Sequence, residues 1–157
     1  MKRFFQLLAL SATLFVAGCN RGSRPAHIGD VARDFTLQDS DRQITLNQFR
    51  GQVVVLNFWA TWCPPCVEEL PSLIAMQERT KVNGVVVVGI SIDVDGDAYH
   101  RFLKLRNINF LLWIANLYGT AGWPETYVID RQGVMRRKFV GPVDWNSPEV
   151  MQFLSQL

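Results

Sequence analysis

Val53-Val54-Val55-Leu56-Asn57-Phe58-Trp59-Ala60-Thr61-Trp62-Cys63-Pro64-Pro65-Cys66 runs from a β-branched hydrophobic stretch directly into a C-x-x-C pair. The first six residues are near-continuously apolar, the pattern of a strand covered on both faces in a parallel sheet. From Cys63 to about Thr80, apolar residues fall at Cys66, Val67, Leu70, Leu73, Ile74 and Met76, a helical spacing. Val85 to Ile92 is a second buried-strand pattern. Strand, helix, strand predicts a βαβ unit with a right-handed crossover, and the fold class is α/β. The cysteine pair then stands where a buried strand ends and a helix begins, the context in which C-x-x-C reads as redox chemistry. A helix N-terminus carries unpaired N–H groups and about half a positive charge, which favours thiolate at the first cysteine. Cys63 is therefore the expected nucleophile and Cys66, one turn further in, the buried resolving thiol. Pro64 and Pro65 cost little, because first-turn nitrogens have no intrahelical acceptor to lose.

Outward from this centre, Phe35-Thr36-Leu37 and Gln43-Ile44-Thr45-Leu46 flank a polar turn over Gln38 to Arg42 and predict a hairpin. Gly96 to Leu105 reads as a helix, Asn109 to Trp113, Thr126 to Asp130 and Val134 to Phe139 as strands, and Ser147 to Leu157 as a closing helix. Asp130-Arg131-Gln132-Gly133 supplies a turn between the last two strands.

The N-terminus reads differently. Lys2 and Arg3 precede an apolar run from Phe4 to Ala17, shorter than the roughly 20 residues a helix needs to cross a bilayer core. Val16-Ala17-Gly18-Cys19 resembles a bacterial lipobox, in which cleavage precedes an acylated cysteine. The alternative is an ordinary small-residue cleavage site beside an incidental cysteine. The expected organisation is a signal peptide over 1–18, a flexible tether over 19–30 and one domain over 31–157, with Cys19 as the lipid attachment point. Removing the signal takes Lys2 and Arg3 with it and leaves basic and acidic side chains equal in number, so attachment would come from lipid rather than charge. Asn20 leaves open whether the inner or outer membrane holds the chain.

In 157 residues, 48% are hydrophobic and 19% charged, which excludes disorder over most of the length. A net charge of +2 gives no basic stripe for nucleic acid, and three cysteines are too few for a disulfide-stapled miniprotein.

The stretch Phe58 to Pro71 (FWATWCPPCVEELP) is similar to the active-site segment of the membrane-tethered TlpA/ResA/CcmG thiol-disulfide oxidoreductases of the thioredoxin superfamily. Gly122-Trp123-Pro124-Glu125-Thr126-Tyr127-Val128-Ile129-Asp130 resembles the same group's cis-proline segment, its Pro-Glu-Thr triplet nearest the cytochrome c maturation branch. The active-site segment runs with the preceding Asp34 to Asn57 (DFTLQDSDRQITLNQFRGQVVVLN), and with two separated motifs in the right order the resemblance covers roughly Val31 to Gly141. The resemblance implies a thioredoxin fold, a central mixed sheet flanked by helices, with an N-terminal hairpin extension and an insertion around Val94 to Leu117. It also implies that Cys63 and Cys66 form the redox disulfide, that Glu69 handles the Cys66 proton, and that Pro124 is a cis-proline presenting backbone to substrate. Trp62 and Trp123 are expected at the substrate rim. Glu125 is expected to tune the pocket or contact a partner, or else to be a plain rim carboxylate. Asn57 stands where cytosolic thioredoxins carry a buried Asp, which makes Glu69 the better proton carrier. The implied substrates are protein disulfides, in apocytochrome c or copper-assembly proteins, and the implied electron donor is a transmembrane thiol reductase; no cofactor is implied. The expected location is the bacterial envelope, facing the periplasm or extracytoplasmic space.

One departure stands out. Phe110 to Tyr118 lacks the polar turn the family carries, so the helix before Pro124 is expected to be short or distorted. Three other signals carry less. Asp93-Val94-Asp95-Gly96-Asp97 begins like a calcium loop, but Ala98 and Lys104 occupy the glycine and glutamate positions, leaving a solvated loop. Arg136-Arg137-Lys138 reads as the exposed part of a strand. His27 and His100 have no spacing to the cysteine pair that argues for a metal site, although a copper-holding dithiol module remains the competing reading. A peroxidase would place Thr or Ser where Ala60 stands.

Overall fold

The computed structural model describes residues 27–38, 43–106, 108, 111–113 and 122–157. The expected signal peptide, Cys19, most of the tether, the Gln38–Arg42 turn beyond Gln38 and most of the shortened Phe110–Tyr118 segment lie outside the described residues.

Strands β1 (Thr36–Gln38) and β2 (Gln43–Thr45) pair antiparallel as the expected hairpin. The main sheet contains β3 (Val53–Trp59), β4 (Val85–Ser91), β5 (Leu111–Trp113), β6 (Glu125–Ile129) and β7 (Met135–Val140), in the order β5-β4-β3-β6-β7. Helix α1 (Pro64–Thr80) joins β3 to its parallel neighbour β4. β6 pairs antiparallel with β3, and β7 antiparallel with β6. α2 (Gly96–Arg106) and α3 (Pro148–Ser155) complete the elements. This is the mixed sheet with hairpin extension expected of a thioredoxin fold. Within the expected insertion, the described part is α2 and the edge strand β5.

Every residue of β3 is buried, as its unbroken apolar run requires of a central strand. Its alternate side chains feed two cores. Val53, Val55 and Trp59 pack with Leu70, Leu73 and Met76 of α1 and Val150 and Leu154 of α3. Val54, Leu56 and Phe58 pack on the other face with Leu37 and Leu46 from the hairpin region and Tyr127, Ile129 and Met135. Each fully buried aliphatic side chain stabilises the fold by about 1.5–3 kcal/mol, so the sheet is held from both sides. Asn57 has the parity of Val55 and Trp59 and is the polar residue that β3 sends toward α1.

Gly29 N–H donates to the Met135 carbonyl (2.8 Å), Met135 N–H to Asp30 (2.9 Å), and Ala32 N–H to Gly133 (2.8 Å). Residues 29–32 therefore run along the start of β7, and the domain's contacts begin ahead of Val31.

Candidate functional site

The end of β3 delivers the turn Ala60-Thr61-Trp62, and Cys63 is the N-cap of α1, with Pro64 and Pro65 in the first turn. Cys63 Sγ accepts the Cys66 backbone N–H at 3.3 Å, so the sulfur lies at the positive end of a 17-residue helix. Cys63 and Cys66 form a disulfide with Cα atoms 5.3 Å apart. Cys66 is fully buried, and Cys63 is 6% exposed beside Trp62, which is 58% exposed. The helix continues through Pro71 despite the backbone bond that proline removes.

The turn is held by a residue the sequence reading placed in a solvated loop. Asp93 is buried; its carboxylate accepts the Thr61 N–H (3.0 Å), the Thr61 hydroxyl (2.6 Å) and the Ser91 hydroxyl (2.5 Å). β4 and β3 are parallel neighbours, so the loop leaving β4 passes the loop leaving β3, and one carboxylate ties them together.

The Trp123–Pro124 peptide bond is cis. Because Phe58 pairs with Glu125, Pro124 lies beside the end of β3, next to the cysteine turn. The rings of Trp62 and Trp123 meet edge-on at 5.7 Å and form an aromatic rim there.

Glu69, three residues after Cys66, shares its face of α1 and is buried. Its Oε1 accepts Asn57 Nδ2–H (2.8 Å), and its Oε2 accepts the Val143 N–H (3.1 Å) and Trp145 Nε1–H (3.3 Å). Burial pushes the carboxyl above its ordinary value, against these three hydrogen bonds, which pull it down. Glu68, by contrast, is exposed. A groove lined by Glu68, Glu69, Ser72, Pro142, Val143 and Asp144 connects Glu69 to solvent. Ser72 fastens the loop: its hydroxyl accepts the Trp145 N–H (3.2 Å) and shares its own proton between the carbonyls of Glu69 (2.9 Å) and Val143 (3.3 Å).

Glu125 is corrected in position. It is 1% exposed, and its oxygens bond Tyr127 O–H (2.6 Å) and Lys138 Nζ (2.9 Å). Its register partner is Phe58, so it lies on the hairpin face of the sheet, opposite Asn57 and Glu69. It is not a rim carboxylate and offers no free oxygen to a substrate. Burial and the Glu125 bond raise the Tyr127 hydroxyl; burial opposes the charge on Lys138, but its bond to Glu125 prevails and raises it. The Arg136-Arg137-Lys138 run lies in β7 with Arg136 and Lys138 exposed, as expected, and each side chain makes an ion pair. Arg136 pairs with Asp130 (2.5 Å), Arg137 with Glu149 (3.1 Å) while covering the Phe139 ring, and Lys138 with buried Glu125.

The structure thus brings Cys63, Cys66, Glu69, Trp62, Trp123 and Pro124 to one end of the sheet and leaves the Glu125 side chain behind it. Sequence reasoning missed Asp93, Thr126 and Trp145. The last is a lone aromatic in the polar loop Pro142-Val143-Asp144-Trp145-Asn146, where no periodicity marks it. Among the described residues no three His, Cys, Asp or Glu side chains cluster as a metal site, and no helix is long and apolar enough to cross a membrane.

The AhpC/TSA family model matches residues 28–138. Over 116 residues the chain is 38% identical to the thiol:disulfide interchange protein DsbE of Pseudomonas aeruginosa, covering 69% of this chain and 62% of that protein's length. It is 29% identical over 142 residues to the thiol-disulfide oxidoreductase ResA of Bacillus subtilis, covering 86% of this chain and 79% of the relative. A crystal structure designated thiol:disulfide interchange protein DsbE from Chlorobium tepidum superposes with a TM-score of 0.72 at 31% identity, covering 83% of this chain and 94% of the other.

Proposed function

The chain belongs to the TlpA/ResA/CcmG-like thiol-disulfide oxidoreductases of the AhpC/TSA family, and from that premise we propose that it reduces protein disulfides in the bacterial envelope. The observation that carries the reading is Cys63 at the N-cap of α1, its sulfur accepting the Cys66 N–H, with a fully buried partner thiol one turn on. In the reduced protein, Cys63 thiolate attacks one sulfur of a substrate disulfide; a mixed disulfide forms and the substrate's other sulfur leaves as thiolate. Cys66, giving its proton to Glu69, then attacks Cys63 Sγ and expels the second substrate thiolate. Two electrons have passed to the substrate, and Cys63–Cys66 is left oxidised until a transmembrane thiol reductase restores it. The raised carboxyl of Glu69 supports the proton step, since burial makes it hold a proton more tightly than a free carboxyl and so a better base toward Cys66. The groove beside Ser72 and Asp144 gives that proton an exit.

Trp62, Trp123 and the Pro124 segment form the docking rim in this proposal. Residues 1–18 serve as the signal peptide, Cys19 as the lipid attachment point, and the stretch to about Gly29 as the tether holding domain to membrane. Apocytochrome c cysteines and copper-assembly thiols are the proposed substrates. The test is Cys66→Ser in the full chain: mixed disulfides with envelope proteins should accumulate, be released by dithiothreitol, and vanish when Cys63 is also Ser. Recovery of none would end the exchange reading and favour a dithiol that only holds copper.

A further inference from the structure

Asn57 Nδ2 donates two hydrogen bonds in the buried layer between β3 and α1, to Glu69 Oε1 (2.8 Å) and to Thr126 Oγ1 (2.9 Å). Asn57 Oδ1, at the other end of the same amide, is buried with no hydrogen-bond partner among the described residues. Both groups that Nδ2 touches can act in either sense. A hydroxyl donates or accepts, and a carboxyl accepts when ionised and donates when protonated.

The other donors to Glu69 cannot reverse. The Val143 N–H and Trp145 Nε1–H both point at Oε2, and neither atom can accept a hydrogen bond. A proton arriving on Glu69 therefore belongs on Oε1, facing Asn57. With Nδ2 still in place, that proton would meet a donor and find no acceptor, at the cost of a buried unsatisfied pair.

We propose that Asn57 is a positioning residue whose amide turns over with the protonation of Glu69. It presents Nδ2 to the carboxylate and Oδ1 to the protonated carboxyl, while the Thr126 hydroxyl reverses from acceptor to donor in step. Turnover breaks no third bond, because Oδ1 has no partner to lose; it exchanges a buried unpaired carbonyl for a buried unpaired NH2, a cost that the bonds to Glu69 and Thr126 offset. In both arrangements Glu69 is hydrogen-bonded at both oxygens. An Asp at position 57 could not do this without adding its own charge. The remaining groups around Glu69 are Cys66 on its own helix face and Glu68 and Asp144 at the mouth of the groove, both exposed. None of them is a hydrogen-bond partner that could take over the role of Asn57.

This inference rests on Glu69 being the proton carrier, and its test separates the two. Glu69→Gln is a fixed analogue of the protonated carboxyl. Its carbonyl must face the Val143 and Trp145 donors, so its amide N–H faces Asn57. In oxidised, 15N-labelled protein, where the cysteines do not titrate, wild type at high pH should show Overhauser contacts from the Asn57 side-chain amide protons to Thr126. These should be lost, with an upfield shift of the amide protons, as pH falls through the Glu69 titration, and they should be missing in Glu69→Gln at every pH. Contacts to Thr126 that persist in Glu69→Gln and at both ends of the wild-type titration would overturn the turnover. A Glu69→Gln protein that exchanges disulfides at the wild-type rate would instead remove Glu69 from proton transfer.

Discussion

Replacing Cys63 by Ser is expected to lower disulfide reduction by about a thousandfold or more, because the variant has no thiolate where the substrate arrives. Cys66 cannot substitute. It is fully buried on the face of α1 that packs into the core, whereas Cys63 lies at the helix entrance beside the exposed ring of Trp62. The effect is read as the turnover of a disulfide-bonded peptide with dithiothreitol as donor, together with the unfolding midpoint to show that the fold is kept. Cys66→Ser should differ in kind: the first attack survives and release fails. Turnover retained in Cys63→Ser would reassign the nucleophile.

The second large effect is on stability. Trp145→Ala should cost about 3–5 kcal/mol, the range for emptying a fully buried aromatic site. The indole packs edge-on against Phe139 at 5.3 Å and donates to Glu69, so the variant loses both ring volume and one of the donors that keep a buried carboxylate tolerable. The second loss gives the deficit a pH dependence whose sign can be worked out. Burial raises Glu69 above its ordinary value of 4.5, so the folded state holds the proton more tightly than the unfolded chain. Stability from this group is complete below about 4.5, and it is lost as pH rises through the higher folded-state value. Without the indole N–H that value rises further, so Trp145→Ala should be more damaging at pH 8 than at pH 4.5 in urea denaturation. Trp145→Phe, which keeps most of the ring volume, should lose less overall while keeping the pH dependence. An equal deficit at both pH values would mean that the indole only fills space.

The parts legible in the sequence are those governed by local pattern. The apolar run of β3, the helical period after Cys63 and the C-x-x-C between them fix a strand, a helix and a reactive pair without reference to anything distant. Hairpin, strands and closing helix were readable for the same reason, to within a residue or two at their ends. What escaped depends on contacts across the sheet. Nothing local distinguishes Asp93, buried and tying two loops, from Asp95 and Asp97, which stay exposed. Glu125 looked like a rim residue because it follows Pro124, but the period of two in β6 turns its side chain to the hairpin face, where Lys138 meets it. Asn57 was legible only as the absence of an aspartate. Its two hydrogen bonds join β3 to α1 and β6, positions that chain order does not bring together.

The most direct test of the central claim, that this dithiol donates electrons, is the equilibrium reduction potential of Cys63/Cys66, titrated against glutathione and dithiothreitol. The account predicts a value near that of thioredoxin, about −270 mV. A value near −120 mV, roughly that of a strong disulfide donor, would contradict it and make the protein an oxidant built on the same fold and the same pair.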